Sequence, residues 1–468
     1  MNALLHRGRL PAVIALVLTF CTQMDAGAES SADGYLLLDS RVVLKTQNAR
    51  LSVGKVQKHL ANPLMAEDKP WEVRCDNLYA NVLFDPVASL YQCWYSPFIV
   101  DHSSKGMSLE QRHAVKYRPP PGREMGVCYA VSRDGLRWEK PDLGLVEFNG
   151  SKSNNLVLRG PHGAGVIRDE AEGDLQRRYK MFRAEDMHYS ADGVHWGDAM
   201  PSDGIGARSD THNNMVSAPE GAGFVGFVRL FDSSTGSRQR VVGRTESVDL
   251  QRWTKATEVL RCDPQNQAYA MPVFRYGRVY LGLLAVFRTK EDRVHTELAW
   301  SPDTVKWYRI QPGTPLIDNS SNEGDYDWGC VYAAASPLVF DNEIRIYYGG
   351  SNGKHTGWRD GFLCLASLRP DGWAGYEQEK VDAPAMVTTQ TVTCTGSSLW
   401  ITCEVEPSGR VKVSAFDGSG EEVSSEVLTQ TGTRIAAGKL SNSRDLPVTL
   451  RFEIDHAKVY SFGFSDPP

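Results

Sequence analysis

A seven-residue motif with serine at the first position, aspartate at the third and tryptophan at the seventh recurs along the middle of the chain. Copies starting at Ser132, Ser190, Ser247 and Ser301 keep this spacing, and residues 367–373 form a degenerate fifth copy. Successive copies start about 60 residues apart, and an interval of this length holds four strands of about 5 to 8 residues with their turns. The repeat therefore predicts a series of four-stranded units, like the blades of a β-propeller.

Each recurring position of the motif has a structural role. Aspartate followed by glycine favours a tight turn, the serine hydroxyl can hydrogen-bond the turn backbone, and tryptophan fills the gap between neighbouring units. Segments of alternating polarity precede the copies, without helical periodicity. We expect an all-β chain with a five-bladed β-propeller at residues 69–376, in which the motif marks the fold and not an active site.

The repeat is flanked by two further regions. Residues 29–68 contain one expected strand, at 35–39, and a polar connector that packs against the propeller. Beyond the repeat, strand-like segments separated by turns predict a β-sandwich at residues 377–468.

The N-terminal segment, residues 1–28, has the features of a signal peptide. Arg7 and Arg9 precede an apolar run at residues 10–20, and Ala26-Gly27-Ala28 offers small residues for cleavage. The run is shorter than the roughly 20 apolar residues of a spanning helix, so no membrane span is expected. We expect an exported protein, periplasmic or extracellular.

Without residues 1–28 the chain has 49 Lys and Arg against 56 Asp and Glu, a net charge of −7. This balance argues against nucleic acid or an anionic membrane as a partner. Eight cysteines remain, scattered between Cys75 and Cys403, which resembles neither a disulfide-dense domain nor a CxxC metal site. Cys394 and Cys403, which flank a short turn, are the pair expected to form a disulfide most readily.

Catalytic groups in propellers converge at the mouth of the central channel where the innermost strands begin. The first hairpin turn of each blade sets the register, and it includes Asp85 in the first blade and Asp169 in the second. These two aspartates therefore lie at the opposite end and are interpreted as turn residues. Polar and ionisable side chains concentrate one strand length before each turn, which predicts the site at that mouth.

Three aspartates at this mouth are the candidate catalytic residues: Asp76, Asp210 and Asp327, with Glu323 and Asp325 as alternates. Cleavage of a glycosidic bond requires one carboxylic acid to protonate the leaving oxygen and one carboxylate to act as base or nucleophile. Aspartate at the start of a strand also caps turns, so a purely structural role is the alternative for each residue.

Further polar and aromatic residues at the mouth are candidates for binding a sugar. His212 could instead hold a divalent cation on the channel axis or be a structural histidine. No cofactor is required for the predicted chemistry, and a structural calcium ion on the axis is compatible with it. In the loop at residues 354–360, Trp358 could stack on a sugar ring and Arg359 could pair with a carboxylate or sulfate. The predicted binding residues are Asn77, His162, His212, Asn213, Asn214, Gln267, Tyr269, Trp328, His355 and Arg359.

Six segments carry a resemblance to known proteins: Asp76-Asn-Leu-Tyr79, Asn154-Asn155 to His162-Gly163, Arg177-Arg-Tyr-Lys180, Asp210 to Asn214, Tyr347-Tyr-Gly-Gly350 with His355, and Asp360-Gly-Phe362. The combination resembles the five-bladed propeller glycosyl hydrolases of the invertase-like and arabinanase-like group. It is more similar to exported bacterial proteins with a family 32-like N-terminal domain. The resemblance covers nearly the whole mature chain and implies three acidic groups in the channel mouth, of which the nucleophile or base carries over cleanly to Asp76. The Arg-Asp-Pro and Glu-Cys signatures of invertase-like enzymes are not found.

Three hypotheses for function follow. The leading one is a secreted glycoside hydrolase that acts on a polysaccharide or oligosaccharide, with carbohydrate as its only expected partner. The second is a non-catalytic carbohydrate-binding or scaffold propeller. The third is another hydrolase or a lyase with His162 or His212 as base. Two carboxyl groups about 5 to 9.5 Å apart across an open cleft favour a glycosidase, whereas a salt-bridged cluster favours the second hypothesis.

Overall fold

The structure is a computed structural model of the chain. The predicted signal peptide lies outside the described residues. Within the described part of the chain, no helix is long and apolar enough to cross a membrane. The structure describes residues 34–103, 106–219, 221, 223–234, 236, 238–440 and 442–466.

The N-terminal segment contains five short strands where the sequence predicted one. The first three strands pair with strands of the C-terminal sheet. The last two pair with the outer strand of the fifth repeat unit. They lie at sheet edges and are largely exposed, so their sequence lacks the apolar alternation of a half-buried strand. The strands are β1 (Tyr35–Leu36), β2 (Val43–Gln47), β3 (Ala49–Val53), β4 (Gln57–Lys58) and β5 (Met65–Ala66).

The repeat region forms five successive antiparallel units. The first three are separate sheets, and the last two are joined by parallel pairing at Val294 and Cys330. The first unit also contains the helix α1 (Leu109–His113), between its third and fourth strands, and a 3-10 turn at Leu175–Arg177 follows in the second. The strands of the first three units are β6 (Asn81–Asp85), β7 (Leu90–Tyr95), β8 (Phe98–Val100), β9 (Glu124–Ser132), β10 (Leu156–Arg159), β11 (Gly165–Arg168), β12 (Tyr179–Phe182), β13 (Asp186–Ser190), β14 (Met200–Pro201), β15 (Asn214–Ser217), β16 (Phe224–Asp232), β17 (Gln239–Ser247) and β18 (Thr257–Leu260).

The fourth and fifth units complete the ring. Contacts run from each unit to the next, and the fifth unit contacts the first. The strands are β19 (Asn266–Ala270), β20 (Val273–Tyr276), β21 (Val279–Arg288), β22 (Arg293–Ser301), β23 (Tyr308–Arg309), β24 (Cys330–Ala333), β25 (Leu338–Val339), β26 (Ile344–Ser351) and β27 (Gly361–Leu368).

The repeated motif forms the predicted turn. In the first copy Ser132 donates to the Asp134 carboxylate at 3.0 Å, and the N–H of Gly135, whose φ is +75°, donates to the serine hydroxyl at 2.9 Å. The motif tryptophans pack on neighbouring units, and the first of them contacts the fifth unit, which closes the ring. The contacts are Trp138 with Tyr347, Trp196 in one cluster with Trp94, Trp253 with Phe182, Trp307 with Phe227 and Trp373 with Phe274.

The strand register places the two ends of the units as the sequence predicted. Asp85 ends the inner strand β6 and accepts the N–H of Val87 in the following turn. Asp169 follows the inner strand β11 and accepts the N–H of Ala171. Both aspartates therefore cap turns at the end opposite to the start of the inner strands.

The C-terminal region supplies seven strands of a ten-stranded sheet, which β1, β2 and β3 complete and which is built on two long bent strands. Apolar side chains from both halves of each long strand lie in one core, for example Ile401 with Val413 and Phe452 with Phe462, so the halves face each other as a sandwich. The all-β fold class is confirmed. The strands are β28 (Ala374–Gln378), β29 (Ala385–Thr389), β30 (Val392–Thr393), β31 (Ser398–Phe416), β32 (Glu422–Leu428), β33 (Gly432–Lys439) and β34 (Pro447–Ser465).

The expected disulfide between Cys394 and Cys403 is wrong. All eight cysteines of the described chain are free and buried. The two thiols instead donate to different backbone carbonyls, at Gly396 and Gln430. They behave as small apolar core residues.

Candidate functional site

Aromatic rings from all five units meet at the mouth where the inner strands begin. Tyr79 is central, since its ring centroid is 5.2 Å from that of His162 and 5.6 Å from that of His212. Tyr332 of the fifth unit lies 6.0 Å from Tyr79 and 5.5 Å from Tyr269 of the fourth. We call the mouth defined by these five residues the funnel. The structure thus brings together residues that are widely separated in the sequence.

Asp76 is held in the funnel wall by two arginines. Its carboxylate is 3.1 Å from the Arg74 guanidinium and 3.3 Å from that of Arg359. Burial by itself would raise the pKa of Asp76, but the two guanidinium groups outweigh burial and lower the pKa to about 2. Asp76 is therefore ionised at neutral pH and is unsuited to donating a proton there.

The depressed pKa of Asp76 predicts a loss of stability in acid. A carboxylate with a folded pKa of about 2 and an ordinary value of 3.8 stabilises the fold above about pH 4, and this contribution disappears as the pH falls towards 2. The shift corresponds to roughly 2 kcal/mol. Urea unfolding of wild type and Asp76→Asn at pH 7 and pH 2.5 should show a stability gap that narrows in acid. A gap of the same size at both pH values would contradict this.

Asp210 is the accessible carboxylate of the funnel. Its side chain is 71% exposed and forms an ion pair with Arg229. Partial desolvation would raise the pKa of Asp210, but the Arg229 guanidinium outweighs it, so the pKa is lowered. Unlike Asp76, this carboxylate can reach a ligand in the funnel without rearrangement.

Three histidines at the funnel are neutral: His162 and His212 are buried, and His355 is half-buried. Burial lowers the pKa of His162 to about 4, although Asp76 and Asp210 both act in the opposite sense. Burial also lowers the pKa of His212 to about 4, and that of His355 falls well below its usual value because of burial and the nearby Arg359. Both carboxylates act electrostatically on the same imidazole, so Asp76 and Asp210 share the surroundings of His162.

The third candidate, Asp327, is not part of this arrangement. Its side chain is fully buried, lies 2.6 Å from the Lys58 ammonium group and accepts hydrogen bonds from Tyr348, at 2.9 Å, and Ser320. The expectation that all three carboxyl groups point into one solvent-reachable pocket is therefore wrong for Asp327. Lys58 comes from β4, which the sequence did not identify as a strand. The alternates Glu323 and Asp325 lie in the same connecting loop, and Glu323 is exposed.

Most of the predicted binding amides have structural partners. Asn213 donates to the Gly163 and Thr211 carbonyls, and Asn214 bridges the Ala335 carbonyl and the Val273 N–H. Asn77 joins the hydroxyl of Tyr79 to Arg359. Gln267 accepts from Arg240 at 2.8 Å.

The loop at residues 354–360 faces inwards. Trp358 is buried, with the Arg74 guanidinium 5.4 Å from its ring, and Arg359 is fully buried with donors directed at Asp76, Asn77 and backbone carbonyls. Neither side chain is free for a ligand, so the roles predicted for them in sugar stacking and anion pairing are wrong. The insertion at residues 101–123 covers this loop through pairing of Lys116 with Gly357. Trp328 is also largely buried, under Arg293.

Three funnel arginines were missed in the sequence: Arg74, Arg229 and Arg240. Arg74 is two residues before Asp76, and this short spacing between opposite charges could have signalled their ion pair. Arg229 and Arg240 are charged residues inside long apolar strands, β16 and β17, where a solvated position is not expected from the pattern.

A metal site was considered at the channel axis. Among the described residues, no group of three or more His, Cys, Asp or Glu side chains is arranged to hold a metal ion. Two amide oxygens near the axis are already used, since Asn81 accepts from the Val166 N–H and Asn214 from the Val273 N–H, whereas Asn213 Oδ1 is buried without a hydrogen-bond partner. The described axial residues therefore do not fit the oxygen-rich set of six to eight ligands that calcium takes.

Comparison with known proteins gives distant structural neighbours. No family model and no curated protein matches the chain. Its structure is similar to that of a β-1,2-mannobiose phosphorylase from Listeria innocua, with 13% identity and a TM-score of 0.48 over 67% of this chain and 96% of that one. A structure described as a glycoside hydrolase has 14% identity and a TM-score of 0.46, over 71% and 94%. A family 43 arabinoxylan arabinofuranohydrolase from Bacillus subtilis has 11% identity and a TM-score of 0.35, over 89% and 99%.

Proposed function

We propose that this protein binds a polysaccharide or oligosaccharide in the funnel and hydrolyses its glycosidic bonds. The observation that carries the proposal is the pair Asp76 and Asp210, from the first and third units, which both act electrostatically on the neutral imidazole of His162. Two carboxyl groups facing one ligand position are what glycosidic cleavage requires.

The two carboxyl groups would have different roles. Asp76 is ionised and fixed by two arginines, which suits a nucleophile or a group that stabilises positive charge at the anomeric carbon. Asp210 is accessible and is assigned the proton transfer to the leaving oxygen. In the free protein the pKa of Asp210 is lowered by Arg229, so this role requires that a bound ligand weakens that ion pair.

The test is a screen of the purified protein, without residues 1–28, against a panel of neutral and acidic polysaccharides, with reducing ends as the readout. Release of reducing ends by the wild type, and its loss in Asp210→Asn, is the expected result. A panel without any hydrolysis, although a polysaccharide binds, would contradict the catalytic part of the proposal.

A second candidate function is non-catalytic carbohydrate binding. It is favoured by the buried ion pairs of Asp76 with Arg74 and Arg359, because such a cluster also serves a purely structural role. Affinity electrophoresis in gels containing the same polysaccharides separates the two functions, since a binding protein is retarded without releasing product.

We also propose that the protein is exported. The basic residues, the apolar run and Ala26-Gly27-Ala28 are arranged as signal peptidase requires, so the mature protein should begin near Glu29. N-terminal sequencing of the protein from an expressing bacterial culture measures this directly. A mature form that still starts at Met1 would contradict it.

A further inference from the structure

The hairpin of β16 and β17 overhangs the funnel and carries Arg229 and Arg240 on one face, and the exposed Arg238 before β17 also lies 3.6 Å from the ring of Phe231 on this face. Phe231 pairs with Arg240 across the hairpin, and Arg229 is two residues before Phe231, so the three side chains share a face. The inner strand β15 starts at Asn214, which pairs with Phe227. The part of the hairpin from Arg229 onwards therefore extends past the inner strand on the funnel side.

Aromatic rings orient both guanidinium groups. That of Arg229 lies 4.6 Å from the ring of Phe231, and that of Arg240 lies 5.2 Å from the rings of both Tyr269 and Phe287. Stacking on aromatic faces leaves the edges of a guanidinium group, where its N–H donors lie, free for hydrogen bonds. Arg240 uses one such donor on Gln267.

The charges around this face do not balance. Asp210 is the ion-pair partner of Arg229, and Arg240 forms no ion pair with a carboxylate among the described residues. The Nε atoms of both arginines are buried without a hydrogen-bond partner in the described structure. Burial and the neighbouring Arg229 together lower the pKa of Arg240, which shows that the second cation is held at an electrostatic cost.

A packing role alone does not explain this arrangement. Buried guanidinium groups in proteins are normally paired, because an unpaired charge away from water is costly. An uncharged side chain such as glutamine or methionine would fill the same space between Tyr269 and Phe287 without that cost. Arg240 is only half-buried, so its remaining donors can be reached from the funnel.

We propose that Arg229 and Arg240 bind an oxyanion substituent, a carboxylate or sulfate, on the sugar placed next to Asp210. The inference rests on the proposed function, because it assumes a carbohydrate in the funnel, and it assigns that carbohydrate to the acidic class. Two forked guanidinium groups match the planar or tetrahedral oxygens of such groups in bidentate geometry. Inorganic sulfate or phosphate presents the same chemistry, so the experiment must separate the free ion from the substituted sugar.

The test is binding to the full mature protein by isothermal titration calorimetry at constant ionic strength. The probes are a tetrasaccharide of galacturonic acid, a chondroitin sulfate tetrasaccharide, cellotetraose as the neutral counterpart, and sodium sulfate. At least one acidic tetrasaccharide should bind more tightly than cellotetraose, and Arg240→Gln should weaken that binding at least tenfold. Arg240→Lys keeps the positive charge but not the forked donors of the guanidinium group, so it should weaken the binding of the acidic tetrasaccharide less than Arg240→Gln does. The matched control is Arg275→Gln, an exposed arginine in β20 near the opposite end of the fourth unit, which should change nothing.

Other outcomes overturn the inference. Equal affinity of wild type and Arg240→Gln for the acidic sugars, with both proteins folded by circular dichroism, would remove Arg240 from the site. Binding of sodium sulfate with no preference for acidic over neutral sugars would assign the arginines to a free ion. Hydrolysis restricted to neutral polysaccharides would overturn this inference and leave the proposed function intact, whereas tight binding of acidic sugars without hydrolysis contradicts only the proposed hydrolysis.

Discussion

Asp210→Asn should lower turnover on the cleaved polysaccharide by roughly 10²- to 10⁴-fold, the range that a positioned general acid contributes. Asparagine keeps the size and the hydrogen-bonding oxygen of the side chain but cannot transfer the proton. Folding should lose less stability than in Asp76→Asn, because the Asp210 side chain is 71% exposed, but the loss should exceed that of a surface ion pair, because Arg229 is buried and loses its carboxylate partner. The measurement is kcat and KM from reducing-end release, alongside the urea midpoint.

The matched control for this variant is Asp169→Asn. Asp169 also forms an ion pair, with Lys180 at 2.9 Å, but it lies at the end of the unit opposite to the funnel. Lys180 keeps its second carboxylate partner, Glu172, in this variant. Turnover should therefore stay close to that of the wild type. An inactive but folded Asp169→Asn together with an active Asp210→Asn would place the site at the opposite mouth.

The pH dependence of Asp210 connects the hydrolysis to the acidic-sugar inference. If an anionic substituent engages Arg229, the guanidinium no longer stabilises the Asp210 carboxylate alone, and the pKa of Asp210 rises on binding. Binding of the acidic sugar would then favour the protonated form of Asp210, which is the form that acts as general acid. A neutral substrate would leave Asp210 ionised at neutral pH and be cleaved more slowly.

The repeat made the fold readable from the sequence because its information is local. The Ser132 and Asp134 side chains bond to backbone within the same turn, and Trp138 marks one contact between units per copy. Four strands between successive copies of the motif fix the direction of each inner strand. For this reason Asp76 and Asp210 were correctly expected at the same mouth, and Asp85 at the other end.

The errors lie where partners are distant in the chain. Asp327 was assigned to the funnel because it precedes an inner strand, but Lys58, from the N-terminal segment, pairs with it in the interior. Arg359 was expected to meet the ligand, yet it meets Asp76, which lies at the other end of the propeller sequence. A local sequence pattern does not predict which charged residues from two distant segments form an ion pair. Those pairings depend on how the N-terminal edge strands and the loop that contains Lys116 pack on the propeller.

The arginines of the funnel were missed for a different reason. Arg229 and Arg240 lie away from the starts of the inner strands, where Asp210 and His212 are found. Arg229 and Arg240 come from the second and third strands of a unit, whose hairpin is longer than the inner strand it covers. The long β-rich segments of the sequence indicate that this hairpin extends beyond the inner strand. The orientation of its side chains depends on the pairing of Phe231 with Arg240, which the sequence does not show.

Asp76→Asn should destabilise the fold by about 3 to 5 kcal/mol, as expected when one partner of a buried ion pair is removed. Arg74 and Arg359 are both buried, and without the carboxylate their like charges repel each other away from water. The measurement is the free energy of unfolding in urea, with Asp210→Asn as a counterpart that should lose less stability, because it leaves one buried arginine unpaired where Asp76→Asn leaves two.

Two companion variants separate the structural role of Asp76 from a catalytic one. Asp76→Asn combined with Arg74→Met should recover part of the lost stability, because one unpaired cation is gone and methionine keeps apolar contact with the rings of Tyr117 and Trp358. Turnover should stay low in that double variant if Asp76 acts on the substrate, since folding is restored but the carboxylate is not. A stable double variant with wild-type turnover would assign Asp76 to the structure of the funnel wall and leave Asp210 as the one catalytic carboxylate of the pair.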